Sequence, residues 1–141
     1  MRQPIGLQLS RTAHEVGQAF DRALADAGGS TSTWQVLLLV RTGQYGTQSK
    51  LADAMGLTRA TLTHHLSAME RQGLVRRWRE EDNRRVQRVA LTEAGEALFE
   101  RLRSVAVAHD ARLRTHLSDE DVAALGDLLQ RLRAGLDVES R

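Results

Sequence analysis

The chain has 141 residues, 41% of them hydrophobic and none of them cysteine, which suits one folded domain and excludes disulfides, thiolate metal sites and cysteine-based redox sensing. Its apolar runs are too short to span a bilayer and no signal-peptide pattern opens it, so we expect a cytoplasmic protein. The formal net charge is only +2, but residues 47–92 carry nine Lys and Arg against five acidic residues, a basic centre that suits a phosphate-facing module and equally a solvated surface.

Two helices are predicted at the start of the chain. Apolar residues recur every three or four positions from about Pro4 to Ala27, which is typical of one amphipathic helix. Residues 28–30 end that helix, because two glycines and a serine favour a turn. The stretch from Thr31 to Thr33 offers N-caps for a second helix, which Gly43 closes.

The next two helices form a predicted helix-turn-helix. Thr47 can N-cap a helix through Met55, Gly56 can end it in the left-handed conformation, and Thr58 can cap the following helix up to Gly73. Three residues of that second helix share one apolar stripe toward a core: Leu62, Leu66 and Met69. Its outer face is small, polar and cationic, with Ala60, His64, Ser67, Ala68 and Arg71 outermost and Thr61 and Thr63 on the flanks. This arrangement is typical of DNA binding.

A β-hairpin is predicted directly after the second helix of the helix-turn-helix, which is the recognition helix. Residues 74–79 and 86–91 are rich in β-branched and long side chains, and a polar turn separates them. Such a hairpin is the wing of a winged helix, and an arginine at its tip can enter a minor groove. We choose Arg84 for this role, with Arg85 beside it, and Asp82 could orient the Arg84 guanidinium by a bidentate pair. The alternative is a solvated turn with a weak surface ion pair.

Two more helices follow the wing. Thr92 can cap a long helix whose apolar stripe runs to Leu117, and Ser118 with Asp121 forms a capping box for a last helix that frays near Asp137. The fold class is therefore mainly α with a small β-hairpin wing. Residues 34–91 are the predicted DNA-binding region, and residues 1–33 and 92–141 are a helical dimerisation region in one continuous structural unit.

The apolar stripes of the terminal helices need a partner, and a two-fold dimer supplies it most simply. A monomeric helical bundle is the alternative. A dimer would place two recognition helices about 10 base pairs apart and so predicts a palindromic site on double-stranded DNA.

The residues 47–75, TQSKLADAMGLTRATLTHHLSAMERQGLV, and the passage DNRRVQRVALTEAG at 82–95 resemble the MarR family of bacterial winged-helix transcription regulators. The resemblance covers nearly the whole chain. It implies a homodimer that usually represses genes and is often released from DNA by small phenolic or anionic ligands. The DNA-contacting positions that it implies are Thr58, Arg59, Ala60, Thr61, Thr63 and His64 on the helix, Thr47, Ser49 and Lys50 near phosphates, and Arg84 in the wing. His64 departs from the family, which often has arginine there.

A ligand site is also expected from the resemblance, because the first two helices help to line the family's cavity. Trp34 and His14 could clamp a small aromatic acid, and Arg11 could pair with its carboxylate. The alternative is that Trp34 belongs to the core and His14 to the surface.

Other classes of function find little support in the chain. No cofactor, metal or catalytic site is expected, because adjacent His64 and His65 cannot easily share a metal and no hydrolase, nucleotide-binding or metalloprotease motif is present. A winged helix that binds protein would favour an acidic or apolar recognition face. A ligand-independent regulator or an activator remains open alongside the repressor.

Overall fold

Helices make up most of the fold, and one antiparallel hairpin interrupts them in the second half. The computed structural model describes residues 2–43 and 46–137. Within these residues the elements are α1 (Ile5–Asp26), α2 (Thr31–Arg41), α3 (Gln48–Met55), α4 (Arg59–Arg71), β1 (Val75–Arg79), β2 (Gln87–Leu91), α5 (Glu93–Leu113) and α6 (Asp119–Asp137). The predicted order of helices and strands is confirmed.

Two predicted helix ends differ from the structure. The cap of α2 is Ser30 and not one of the predicted residues 31–33, because Ser30 is extended and its hydroxyl accepts a hydrogen bond from the Thr33 amide at 3.1 Å. Helix α5 ends at Leu113. Leu117, which the sequence places on the α5 stripe, therefore lies in the connection to α6.

The turn between the two helices of the helix-turn-helix is as predicted. The Thr47 hydroxyl accepts from the Lys50 amide at 3.3 Å, which caps α3. Gly56 closes that helix at φ +66°, a left-handed conformation that glycine adopts without a steric penalty. The chain can thus turn sharply into α4.

One hydrophobic core lies under the helix-turn-helix and is not confined to residues 34–91. Its buried members are Leu24, Val36, Leu37, Leu51, Ala52, Leu62, Leu66, Met69, Val75, Val89, Leu98, Phe99 and Leu102. Leu24 comes from α1 and three others from the first half of α5. Helix α1 and the first half of α5 therefore help to hold the helix-turn-helix in shape, which the stripes alone did not reveal.

The hairpin is joined to the start of α3 as well as to itself. Strand β1 pairs with β2 from Val75 opposite Leu91 to Arg79 opposite Gln87. The Val89 amide of β2 donates to the Gly46 carbonyl at 3.2 Å, just before α3. The wing and the first helix of the helix-turn-helix are therefore held in one register.

Glycine is required where α5 passes the hairpin. A Cβ atom at Gly95 would lie 2.1 Å from the backbone carbonyl oxygen of Leu74. Thr92 joins the start of α5 to the residues before the hairpin. Its hydroxyl accepts from the Gly95 amide at 3.1 Å and donates to the Gly73 carbonyl at 2.5 Å. The backbone just before β1 and helix α5 approach too closely here for any side chain at Gly95.

We expect Gly95→Ala to lower the free energy of unfolding by about 2 to 3 kcal/mol, because the backbone must shift to admit a methyl group. Urea denaturation at equal protein concentrations measures this. Gly17→Ala in α1 is the control, since open space surrounds that position, and it should raise stability by about 0.5 to 1 kcal/mol. Equal stability of Gly95→Ala and the parent would contradict the close approach.

The chain divides into two compact units, Met1–Ala106 and Val107–Arg141. The second unit contains the end of α5 and all of α6. Helix α6 begins with the predicted capping box: the Ser118 amide donates to Asp121 Oδ2 at 2.9 Å, and the Asp121 amide donates to Ser118 Oγ at 3.1 Å. No helix in the described ranges is both long and apolar enough to cross a membrane.

Candidate nucleic-acid interface

Helix α4 separates a buried stripe from an exposed polar face. Leu62, Leu66 and Met69 are at most 3% exposed, which confirms the predicted stripe. The predicted contact residues on the other side are exposed: Arg59, Ala60, Thr61, Thr63, His64 and Arg71. Ser67 and Ala68 are half-buried, so placing them on the outer face was wrong.

The reason for the Ser67 difference is the hairpin, which packs beside the C-terminal half of α4. Arg77 Nη2 donates to Ser67 Oγ at 3.1 Å and to Glu70 Oε1 at 3.3 Å. The Arg77 backbone amide donates to the other Glu70 oxygen at 3.1 Å. Because the Arg77 side chain is only 13% exposed, this ion pair ties the wing to the recognition helix more firmly than a surface pair would.

The two helices of the helix-turn-helix are cross-linked by side chains that face the same surface. Arg59 Nη2 donates to Ser49 Oγ at 2.7 Å, and Gln48 Nε2 donates to Thr63 Oγ1 at 2.6 Å. Accepting from Gln48 leaves the Thr63 hydroxyl proton free to donate to another acceptor. The contacts hold the predicted DNA-binding groups of α3 and α4 in fixed positions.

Thr58 is already engaged within the protein. Its hydroxyl oxygen accepts from the Thr61 amide at 3.2 Å, and its proton goes to Thr61 Oγ1 at 2.9 Å. This N-cap fixes the start of α4. A substitution of Thr58 would therefore change the stability of α4 as well as any contact of Thr58 with DNA.

We expect Thr58→Ala to lower the free energy of unfolding by about 1 kcal/mol, because the Thr61 amide loses its cap. Thr58→Ser keeps the hydroxyl and should restore nearly all of this loss. Chemical denaturation of the three proteins measures the difference. An alanine variant as stable as the parent would show that the cap contributes nothing.

At the wing tip, Arg84 and Arg85 are both exposed. The predicted pair between Asp82 and Arg84 is absent from the described structure, in which these two side chains form no ion pair. The Arg85 amide donates to Asn83 Oδ1 at 3.2 Å instead, and Arg79 Nη1 donates to the Arg84 carbonyl at 2.8 Å. The loop is shaped by its backbone bonds, and no other described residue bonds to the Arg84 guanidinium, which can therefore bind a ligand.

The helix-turn-helix and the wing enclose a groove of about 580 Å³. Its lining residues are Thr47, Gln48, Ser49, Lys50, Arg59, Thr63, Arg79, Arg85, Val86 and Gln87. Four of them are cations and none is acidic, so the groove attracts anions. Six of the ten were predicted as DNA contacts, and the structure brings these six together.

Sequence reasoning missed Gln48, Arg79, Val86 and Gln87. Gln48 follows the α3 cap directly, so its position in the first turn of the helix was a usable signal. The inward direction of Arg79 and Gln87 depends on the strand register, which the sequence does not fix.

The predicted ligand residues are not joined by polar or ring contacts. Arg11 and His14 are exposed on α1. The Trp34 ring stacks on Phe99, with centroids 5.6 Å apart and planes 11° apart, and packs against the core. In the described ranges, no hydrogen bond, ion pair or ring contact links Trp34 to either α1 residue, and no three metal-ligating side chains come together.

Comparison with known proteins agrees with this geometry. The model of the MarR family matches residues 30–86. An uncharacterized HTH-type transcriptional regulator of Bacillus cereus is 31% identical over 97 residues, which are 69% of this chain. That stretch spans 64% of the length of the curated relative.

Solved structures share the fold over nearly the whole chain. A MarR-family regulator from Rhodococcus sp. RHA1 is 29% identical with a TM-score of 0.77, covering 91% of both chains. The repressor CouR bound to a 23-mer DNA duplex is 28% identical with a TM-score of 0.82, covering 92% of both chains. CouR from Rhodococcus jostii RHA1 was also solved with p-coumaroyl-CoA. Sequence and fold agree in this way: residues 30–86 match the MarR family, and the chain is similar over nearly its whole length to winged helix-turn-helix transcriptional regulators of that family.

Proposed function

We propose that the protein is a sequence-specific transcription regulator that binds double-stranded DNA. The observation that carries this proposal is the groove between the helix-turn-helix and the wing. Its cations, Lys50, Arg59, Arg79 and Arg85, lie beside an exposed helix face of threonines and His64. The cations can bind backbone phosphates, and the helix face can contact base edges in a major groove.

The DNA-contacting set in this proposal is the predicted one. It comprises Thr47, Ser49 and Lys50 at the start of α3, residues 58–61 with Thr63, His64 and Arg71 on α4, and Arg84 and Arg85 in the wing. Of these, Arg84 is proposed to enter the minor groove, where the potential is most negative. A regulator of this kind acts where the chromosome is, so the proposal also places the protein in the cytoplasm.

The proposed active form is a homodimer built by the terminal helices. Along α6, Leu125, Leu128 and Leu136 are 48%, 53% and 66% exposed. On α1, Ile5 is 65% exposed. Large apolar side chains that are this exposed in a single chain are typical of surfaces that a partner covers. A two-fold dimer would bind a palindromic operator and act as a repressor.

The proposed regulatory signal is a small aromatic or phenolic ligand that releases the protein from DNA. Support comes from CouR, which binds DNA in one structure and p-coumaroyl-CoA in another. Arg11, His14 and Trp34 are the candidate ligand residues. The Trp34 stack on Phe99 favours a core role for this tryptophan, so the ligand part of the proposal depends mainly on the relative.

The first experiment measures binding of the purified protein to its own upstream DNA at two salt concentrations, with stoichiometry from light scattering. We expect one dimer per palindrome and an affinity that falls steeply with salt. Binding no tighter than to random DNA would count against autoregulation. Absence of binding to any duplex would favour a protein-interaction module and overturn the proposal.

A further inference from the structure

We propose that Arg79 is a DNA-contacting residue that connects a backbone-phosphate site in the groove to Arg84 at the wing tip. This inference rests on the proposed function. It adds a residue outside the predicted set and a specific role for the groove.

The position of Arg79 is fixed by the hairpin. It is the last residue of β1 and pairs with Gln87 across the strands. Its Nη1 donates to the Arg84 carbonyl at 2.8 Å, across a loop that is closed by a bond from the Glu80 amide to the Val86 carbonyl at 3.1 Å. The Arg79 guanidinium thus fixes the backbone of the wing tip at Arg84.

In the described ranges no acidic side chain pairs with Arg79, and most of its N–H donors remain available to a ligand. A guanidinium has five N–H groups, and the wing contact uses one nitrogen. Two neighbouring arginines are neutralised, because Arg77 pairs with Glu70 and Arg88 pairs with Glu80. In the described ranges Arg79 forms no ion pair, and its side chain lines the groove instead.

The groove suits a phosphate of the DNA backbone. Arg79 shares its wall with Lys50, Arg59 and Arg85, and none of the described residues that line it is acidic. Arg59 is held toward α3 by its 2.7 Å bond to Ser49, so part of the site is formed before DNA arrives. Arginine can donate two parallel hydrogen bonds to one phosphate, which makes the contact geometrically specific.

The contact to Arg84 couples two parts of the interface. A phosphate that orders the Arg79 guanidinium also orders the carbonyl that the guanidinium holds. Because that carbonyl belongs to Arg84, phosphate binding in the groove and the insertion of Arg84 into the minor groove support each other. Loss of Arg79 should therefore weaken the contribution of Arg84 as well.

The test compares Arg79→Ala, Arg79→Lys and Arg76→Ala on a random duplex of about 30 base pairs, long enough for two half-sites one helical turn apart. Affinity is measured at several salt concentrations. Arg76 is the matched control, because it is on the same strand and its guanidinium stacks over Trp78 at 4.7 Å, outside the groove.

We expect Arg79→Ala to reduce the slope of log affinity against log salt by about one for each protomer. Arg79→Lys should keep that slope, and Arg76→Ala should equal the parent. A slope for Arg79→Ala equal to that of Arg76→Ala would overturn this inference alone. A parent that binds no duplex would overturn the proposed function and this inference with it.

The coupling is tested on the protein's own upstream DNA with Arg84→Ala and the double variant. We expect the double variant to lose less affinity than the product of the two single losses. Strictly multiplicative losses would show that Arg79 does not act through Arg84. Equal thermal stability of all variants establishes that the comparison reports binding.

Discussion

Replacing Leu128 with glutamate is expected to convert the protein into a monomer and to weaken operator binding by about 100-fold or more. Leu128 is 53% exposed in the single chain, in a row with Leu125 and Leu132. A two-fold interface contains the residue twice, so the substitution buries two unpaired charges. Once separated, the two DNA-binding regions lose the high effective concentration that a dimer gives to the second half-site, which is worth about 10² to 10⁴ in affinity.

The control is Gln130→Glu, which adds the same charge to an exposed position on the opposite side of α6. Light scattering gives the mass of each variant, and titration of the upstream DNA gives its affinity. The helical circular dichroism of Leu128→Glu should equal that of the parent, since the side chain is largely exposed within one chain. A dimeric Leu128→Glu protein would show that the interface lies elsewhere.

Local signals in the sequence were sufficient for the framework of the fold. Thr47 and Thr58 cap their helices and Gly56 turns between them, because caps and left-handed glycines act within a few residues. The Ser118 capping box formed for the same reason. The stripe of α4 also follows from helical period alone, and all three of its predicted core residues are buried.

The errors arise where distant elements meet. The half-burial of Ser67 depends on Arg77, which arrives from the hairpin ten residues later. The expectation of an Asp82–Arg84 pair treated the wing tip as an isolated turn, whereas Arg79 and Asn83 shape it by bonds to the backbone. Helical period does not reveal such contacts, because they depend on the register of the strands and on how the hairpin packs.

The candidate site was predicted only in part, because some of its residues come together through contacts between distant elements. Positions on α3 and α4 follow from the helix-turn-helix and from the resemblance, and they line the groove together with Arg85 of the wing. Arg79 has no such signal, since five arginines lie between residues 76 and 85. Only the hairpin register and the side-chain contacts distinguish it from Arg76, which stacks on Trp78, and from Arg77, which pairs with Glu70.

Arg84→Ala is expected to weaken binding to the upstream operator by about 10-fold or more, since each protomer loses one groove contact worth roughly 1 to 3 kcal/mol. The effect should be smaller on random duplex, because an arginine in a narrow minor groove responds to DNA shape as well as to phosphate charge. The exposed Arg84 side chain has no ion pair within the described ranges, so its removal should leave folding stability unchanged.

Arg84→Lys separates charge from groove recognition. Lysine keeps the positive charge, so the salt dependence of binding should stay close to that of the parent. An ammonium is more strongly hydrated than a guanidinium and enters a narrow groove less readily. Preference for the operator over random duplex should therefore fall in Arg84→Lys nearly as far as in Arg84→Ala. If both variants bind the operator as tightly as the parent, Arg84 does not enter the minor groove, and the wing contributes through Arg79 and Arg85 alone.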